Sequence, residues 1–272
     1  MTTGKKIAII VLIIGIILGI IGGILFFAEI GRGDLETDSF TEKYDEEITK
    51  LDINCDIGEL VIKYSSSATS VIVECVDVIE NKCDVEVKDG TLVVDYEAEK
   101  WHKYIHLGTL NEDIPSGIIQ ITLPSGSYEK LNISAGVGET IIEGLAFTTA
   151  EIDSGVGEFT IKDCTFTDKI NVDTGIGEFN IQNSVMNNLD FDAGIGDSKL
   201  ENCDLTGECS IENGIGEIDM KLVRSKDYYS FDVNNGIGTI DIDGQMMLTD
   251  EVAGKTIIRL ENGIGEINVE CA

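Results

Sequence analysis

Carboxylates at a fixed spacing are the most chemically suggestive feature of this 272-residue chain. Glu139, Glu158, Glu178, Asp197, Glu217 and Glu266 each stand three residues after a glycine, and Asp153, Asp173, Asp192, Glu212 and Glu261 each stand two before one. Ladders of carboxylate oxygen suit hard cations such as Ca2+ or Mg2+, which makes the first series the candidate metal set. Calcium-binding solenoids of the nonapeptide Gly-Gly-x-Gly-x-Asp type use a different unit, which this chain lacks. Two other readings compete: a solvated acidic face that maintains solubility and blunts lateral pairing, and a docking face for a cationic partner. Like charges one strand apart, about 4.8 Å, repel by roughly 0.9 kcal/mol even in bulk water. Divalent cations, a cationic partner, or screening and side-chain splay must therefore offset the ladder.

Other reactive residues are sparse. His102 and His106, the two histidines, fall in an insert with Trp101 and Tyr104. At i, i+4 spacing they share a helix face and have the pattern of a metal pair, but a third ligand is missing. The insert is otherwise an amphipathic loop, and its four residues are the candidate ligand contacts, because inserts in repeat arrays project and bind. Seven cysteines, Cys55, Cys75, Cys83, Cys164, Cys203, Cys209 and Cys271, leave at least one unpaired. Cys164 and Cys203 sit in one repeat column with Ser184 between them, about 9.6 Å apart and beyond disulfide reach. Cys209 falls in an apolar column, whereas Cys75 and Cys83 have the spacing to meet across a hairpin. No Cys-x-x-Cys, phosphate-binding loop, Gly-x-Ser-x-Gly or His-Glu-x-x-His occurs. The Gly-x-Gly units lack the third glycine and the helix of a dinucleotide fingerprint. Paired carboxylates hydrolyse glycosides in other folds, but here every acid belongs to a repeating column and none is singled out. The expectation is a protein without catalytic residues. Fifty acidic against 19 basic residues, a net charge of −31, exclude nucleic acid as a partner, since that requires a basic footprint.

The acids are positioned by a repeat. Gly136-Val-Gly, Gly155-Val-Gly, Gly175-Ile-Gly, Gly194-Ile-Gly, Gly214-Ile-Gly, Gly236-Ile-Gly and Gly263-Ile-Gly recur 19, 20, 19, 20, 22 and 27 residues apart. Residues five and three before the first glycine, the residue between the glycines, and the one six after are all columns of mostly apolar, β-branched side chains. A spacing of two marks strands with one buried face. Each unit is read as two or three short strands that cannot bury their own face, so parallel copies stack into one core. The glycines suit corners. A second corner is expected at Asp163-Cys-Thr-Phe166, Asn183-Ser-Val-Met186 and Asn202-Cys-Asp-Leu205, with the last residue of each pointing inward. The fold class is all-β: a β-solenoid of stacked units of about 20 residues over 125–272. An irregular β region over 48–124 precedes it, with an insert at 96–117, and Asp56-Ile-Gly-Glu59 is read there as a degenerate first copy.

Ile7 to Ala28 is apolar and uncharged, about 33 Å as a helix and enough to cross a bilayer. Lys5 and Lys6 before it and Glu29, Asp34, Glu36 and Asp38 after it place residues 1–6 in the cytoplasm and everything beyond 28 outside. Phe26-Phe27-Ala28 is a poor cleavage site, which favours an uncleaved single-pass anchor over a signal peptide. Gly15, Gly19 and Gly23 give that helix a smooth face, either for helix contact or without consequence. Residues 29–47 read as an acidic stalk. The last copy ends at Ala272, so its edge is either shielded by its own side chains or paired with a second subunit.

From Ile119-Gln-Ile-Thr-Leu-Pro-Ser-Gly126 through Leu131-Asn-Ile-Ser-Ala-Gly136 and onward, the chain resembles a bacterial candidate-adhesin β-solenoid family of membrane-anchored envelope proteins. The resemblance covers roughly residues 48–272 and implies a solenoid outside the cell membrane, in some members linked to envelope-stress sensing. It carries over no catalytic residues. The reading that results is a membrane-anchored, extracytoplasmic binding protein whose partners are cationic peptides or metal-bridged wall polymers. The alternative is a spacer that forms homo-oligomers through its membrane helix or solenoid edge, and the third is an envelope hydrolase.

Overall fold

A computed structural model describes residues 36–97, 117–247 and 255–272. The segment expected to anchor the chain, and the insert with Trp101, His102, Tyr104 and His106, lie outside the described residues. Among the described residues fifteen strands form one sheet: β1 Thr37–Tyr44, β2 Lys50–Tyr64, β3 Val71–Ile79, β4 Cys83–Lys88, β5 Thr91–Tyr96, β6 Ile118–Leu123, β7 Ser127–Glu143, β8 Ala146–Lys162, β9 Thr165–Gln182, β10 Val185–Asn187, β11 Leu189–Thr206, β12 Glu208–Leu222, β13 Tyr229–Ile242, β14 Gln245–Met246 and β15 Thr256–Cys271. The only helical turn among the described residues is at Lys226–Tyr228.

The expected stack of parallel coils is present. β2, β7, β8, β9, β11, β12, β15 and β13 lie side by side in parallel, with the glycines in register: Gly58, Gly138, Gly157, Gly177, Gly196, Gly216, Gly265 and Gly238. Asp56-Ile-Gly-Glu59 pairs in register with the unit of Gly136, with an aspartate where that unit has its first glycine. The strands are longer than expected, 14 to 18 residues in β7, β8, β9, β11, β12, β13 and β15, because the ladder runs straight through the glycine corner.

The second glycine of each unit from Gly138 onward has φ between +140° and +147°, and Gly58 has φ +121°, which switches the parity that faces inward. Before the corner, residues five and three back are core: Leu131 and Ile133, Ile170 and Val172, Leu189 and Phe191, Ile258 and Leu260. After it, residues four and six on are core: Phe159 and Ile161, Phe179 and Ile181, Ile218 and Met220, Ile267 and Val269. This corrects the expectation that the residue between the glycines is buried. Val137, Ile176, Ile195, Ile215, Ile237 and Ile264 are only half-buried, and Val156 is 42% exposed. Strict alternation hid the residue four past the glycine, since Thr140, Phe159, Phe179, Ser198 and Ile218 share no single character. Phe159, Phe179 and Phe191 stack at centroid distances of 5.1 and 5.3 Å, each burying roughly 1.5–3 kcal/mol of apolar side chain.

At the second corner Gly144, Asp163, Asn183 and Asn202 all take left-handed φ, from +50° to +73°. The Asn183 Nδ2 donates to Asp163 Oδ1 at 3.1 Å, and Asn202 Nδ2 to Asn183 Oδ1 at 3.2 Å. Phe166, Met186 and Leu205 then turn inward as expected.

Both ends differ from the sequence reading. Part of the supposed stalk, residues 37–44, is β1, which pairs antiparallel with β3. Its side chains are mostly exposed, so backbone bonds and the packing of Phe40 and Tyr44 hold it. β2 divides between two arms: its first half pairs with β5, which carries β4, and its second with β6, which carries β3 and β1. Tyr96, taken as the start of the insert, closes β5 and is fully buried. At the far end the copy of Gly263 is not terminal. β15 lies between β12 and β13, so the copy of Gly236 is the outer one, followed by the short β14.

Candidate functional site

The stacking register turns the two acidic columns into continuous ladders. One runs Glu59, Glu139, Glu158, Glu178, Asp197, Glu217, Glu266 and ends on Thr239. The other runs Asp153, Asp173, Asp192, Glu212, Glu261 and ends on Asn234, whose Nδ2 donates to Glu261 Oε1 at 2.6 Å. Apart from the half-buried Glu59, the ladder carboxylates are exposed. All six sequence candidates for cation binding thus lie on one face. Among the described residues, no group of three or more His, Cys, Asp or Glu is gathered to hold a metal ion.

Between the ladders runs what the periodicity misplaced: Ile57, Val137, Val156, Ile176, Ile195, Ile215, Ile264 and Ile237, one per coil and flanked by bare glycine backbone. Except at Ile57, it is partly open to solvent. The glycines make this possible, because a Cβ on Gly175 would meet the Gly155 oxygen at 2.1 Å and one on Gly177 the Gly157 oxygen at 1.8 Å. The face is an apolar stripe between two anionic rails. The longer rail, Glu59 to Glu266, spans six coil steps, about 29 Å, and the shorter, Asp153 to Glu261, spans four, about 19 Å, so acids flank the stripe on both sides from Val156 to Ile264.

The carboxylates repel one another. Partial burial, then Glu212 and Asp173, push the Asp192 carboxyl up to about 6. Burial followed by Asp173 and Glu151 raises Asp153, while Asp219, burial, Glu266 and Asp197 raise Glu217. Lysines near the rails pair with acids outside them: Lys130 with Glu151, Lys162 with Glu143, and Lys169 with Asp190. Because folding raises the Asp192 pKa, the folded chain holds more protons than the unfolded one between about pH 4 and 6. Its contribution to stability therefore falls as pH climbs through that window and stays unfavourable above it. Asp192→Asn is expected to stabilise the fold by about 1 kcal/mol at pH 7, after allowance for solvent screening, and to change nothing at pH 4. Urea unfolding at the two pH values measures this.

Among solved structures, the fold is similar to a candidate adhesin from Bacteroides fragilis, at 17% identity over 86% of this chain and 98% of that one, with a TM-score of 0.43. A candidate lipid-binding protein from Parabacteroides distasonis matches at 17% identity over 88% and 99%, TM-score 0.42. A candidate cell adhesion protein from Clostridium sporogenes matches at 16% over 87% and 100%, TM-score 0.35. No curated protein matches the chain. The family model described as Toastrack DUF4097 matches residues 48–256, from the capped first coil through the copy of Gly236, and the chain belongs to that family.

Proposed function

We propose that this chain is a membrane-anchored, extracytoplasmic binding protein whose railed face takes extended or helical cationic partners with an apolar side, such as basic peptides. The observation that carries this reading is the partly exposed Val/Ile stripe between two carboxylate ladders. A face kept only for solubility has no use for an unbroken apolar stripe, whereas a basic amphipathic segment matches both its charge and its greasy centre. The uncharged run from Ile7 to Ala28, with lysines before it and acids after it, supports the anchor and the orientation. The matching envelope setting is adhesion or sensing.

The test is titration of the full chain with a Lys/Leu amphipathic peptide at low and physiological salt. Affinity is expected to fall with added salt. Glu178→Gln with Glu158→Gln should weaken it about tenfold, and Ile176→Ser with Ile195→Ser by a comparable amount. Binding that ignores both pairs would reject the reading. A second reading, self-assembly through the solenoid end, rests on β13: among the described residues its outer edge is bonded only over Ile240–Ile242, by β14 and Met247.

A further inference from the structure

Two thiols in the N-terminal cap meet where no strand pairing brings them together. Cys75 lies on β3, opposite Phe40 of β1 and Ile119 of β6, in the arm built on the second half of β2. Cys83 opens β4, opposite Tyr96 of β5, in the arm built on the first half. The expected hairpin does not form, because β3 and β4 each pair with other strands. A tight turn at Asn81, φ +58°, with Lys82 N–H bonded to Ile79 oxygen at 3.1 Å, passes the chain from one arm to the other. The two sulfurs end 3.6 Å apart.

The geometry points to a reversible disulfide between Cys75 and Cys83 that latches the two arms of the cap. Closing the sulfurs to bonding distance, about 2.05 Å, requires an approach on the order of 1.5 Å, within reach of side-chain rotation. Cys75 is 1% exposed and Cys83 is partly open, so an oxidant reaches Cys83 first. The oxidant is a low-molecular-weight disulfide, RS–SR. Cys83 passes its proton across the hydrogen bond to the Cys75 sulfur as it attacks one sulfur of RS–SR, forming Cys83–S–S–R and releasing RS−, which takes up that proton. The Cys75 thiolate then attacks the Cys83 sulfur and releases the second RS−. Two electrons pass from the cysteines to RS–SR, and their two protons end on the two RSH products. The hydrogen bond between the two thiols holds Cys75 below its ordinary pKa against the opposing effect of burial and, together with burial, pushes Cys83 well above its own. Cys164, Cys203 and Cys209 are buried in the stack and donate instead to backbone oxygens.

The experiment treats the purified full-length chain with oxidised glutathione and follows thiol titration in denaturant, non-reducing peptide mapping and thermal unfolding. Free thiols are expected to fall from seven to five, with a single linked pair, Cys75 to Cys83. Tm should rise by about 5 °C, the order given by closing a short loop in the unfolded chain of a protein this size. Dithiothreitol should reverse both changes. Cys271→Ser should still form the link, and Cys83→Ser should lose no thiols. Retention of all seven thiols, glutathione trapped on Cys83, or a link between other cysteines would each overturn the proposal.

Discussion

Gly177→Ala is expected to cost the solenoid about 3–5 kcal/mol. Two effects combine. The residue sits at φ +144°, where a side chain on an L-residue is strained by about 1–3 kcal/mol. The added Cβ would also lie 1.8 Å from the Gly157 oxygen and 2.8 Å from its carbon, and both belong to backbone held by the neighbouring ladder. Neither atom yields as a side chain would, so the coils must separate. Separation loses the parallel bonds between β8 and β9, and nearest-neighbour coupling carries the damage along the stack. Gly175→Ala separates the two effects, because its Cβ meets the Gly155 oxygen at 2.1 Å without a positive φ. Gly126→Ala, with nothing within 4 Å of its Cβ, should be neutral. Urea midpoints for the three variants provide the check. A Gly177→Ala midpoint equal to that of Gly126→Ala would mean the coils are not packed backbone to backbone at this corner.

The same corner explains how far the sequence could be read. The repeat of Gly-x-Gly, the inward columns before it, and the Asp or Asn turn opposite were all legible, because each position repeats one physical demand in every coil. Lost was the change of parity, since the signal for inward residues after the corner is spread over Thr140, Phe159, Ser198 and Ile218. The Val/Ile column was therefore assigned to the core, although β-branched residues at half-buried positions have the same composition as buried ones. The acidic rails were read correctly as solvent-facing columns, while the stripe between them, on which the proposed binding face depends, was not. β1 was missed because an edge strand held by backbone bonds needs few apolar side chains, and Thr37–Tyr44 supplies only Phe40 and Tyr44. Cys75 and Cys83 were matched correctly, but by the wrong mechanism: a crossing between two arms has no local sequence signature.

Asn262→Ala is expected to destabilise the chain by about 2–4 kcal/mol, and its coupling to Asn213 reports the order of the coils. The residue before the first glycine is Ala, Ser or Thr in the early copies but Asn at 213, 235 and 262. Asn213 Nδ2 donates to Asn262 Oδ1 and Asn262 Nδ2 to Asn235 Oδ1, both at 2.9 Å, and each Nδ2 also reaches a glycine oxygen three residues on. The amides form a ladder in the order 213, 262, 235, which is the order of β12, β15 and β13 and not that of the chain. Asn213 Oδ1 is left without a donor because its neighbour across β11 is Ala193. Truncating Asn262 strips the Asn213 amide of an acceptor and the Asn235 oxygen of a donor, at a corner where Asn213 and Asn262 are only 3% exposed. If the copies stacked in chain order, Asn213 and Asn262 would be two coils apart, about 9.6 Å, and the double mutant would be additive. With β15 inserted, a cycle of Asn213→Ala and Asn262→Ala should show coupling of about 1 kcal/mol or more. Additivity within about 0.3 kcal/mol would refute the insertion. The inserted order also accounts for the one unit that ends in threonine. Thr239 and Asn234 replace acids in the outermost coil, where the ladders stop and a further carboxylate would extend repulsion without adding a flanked stripe.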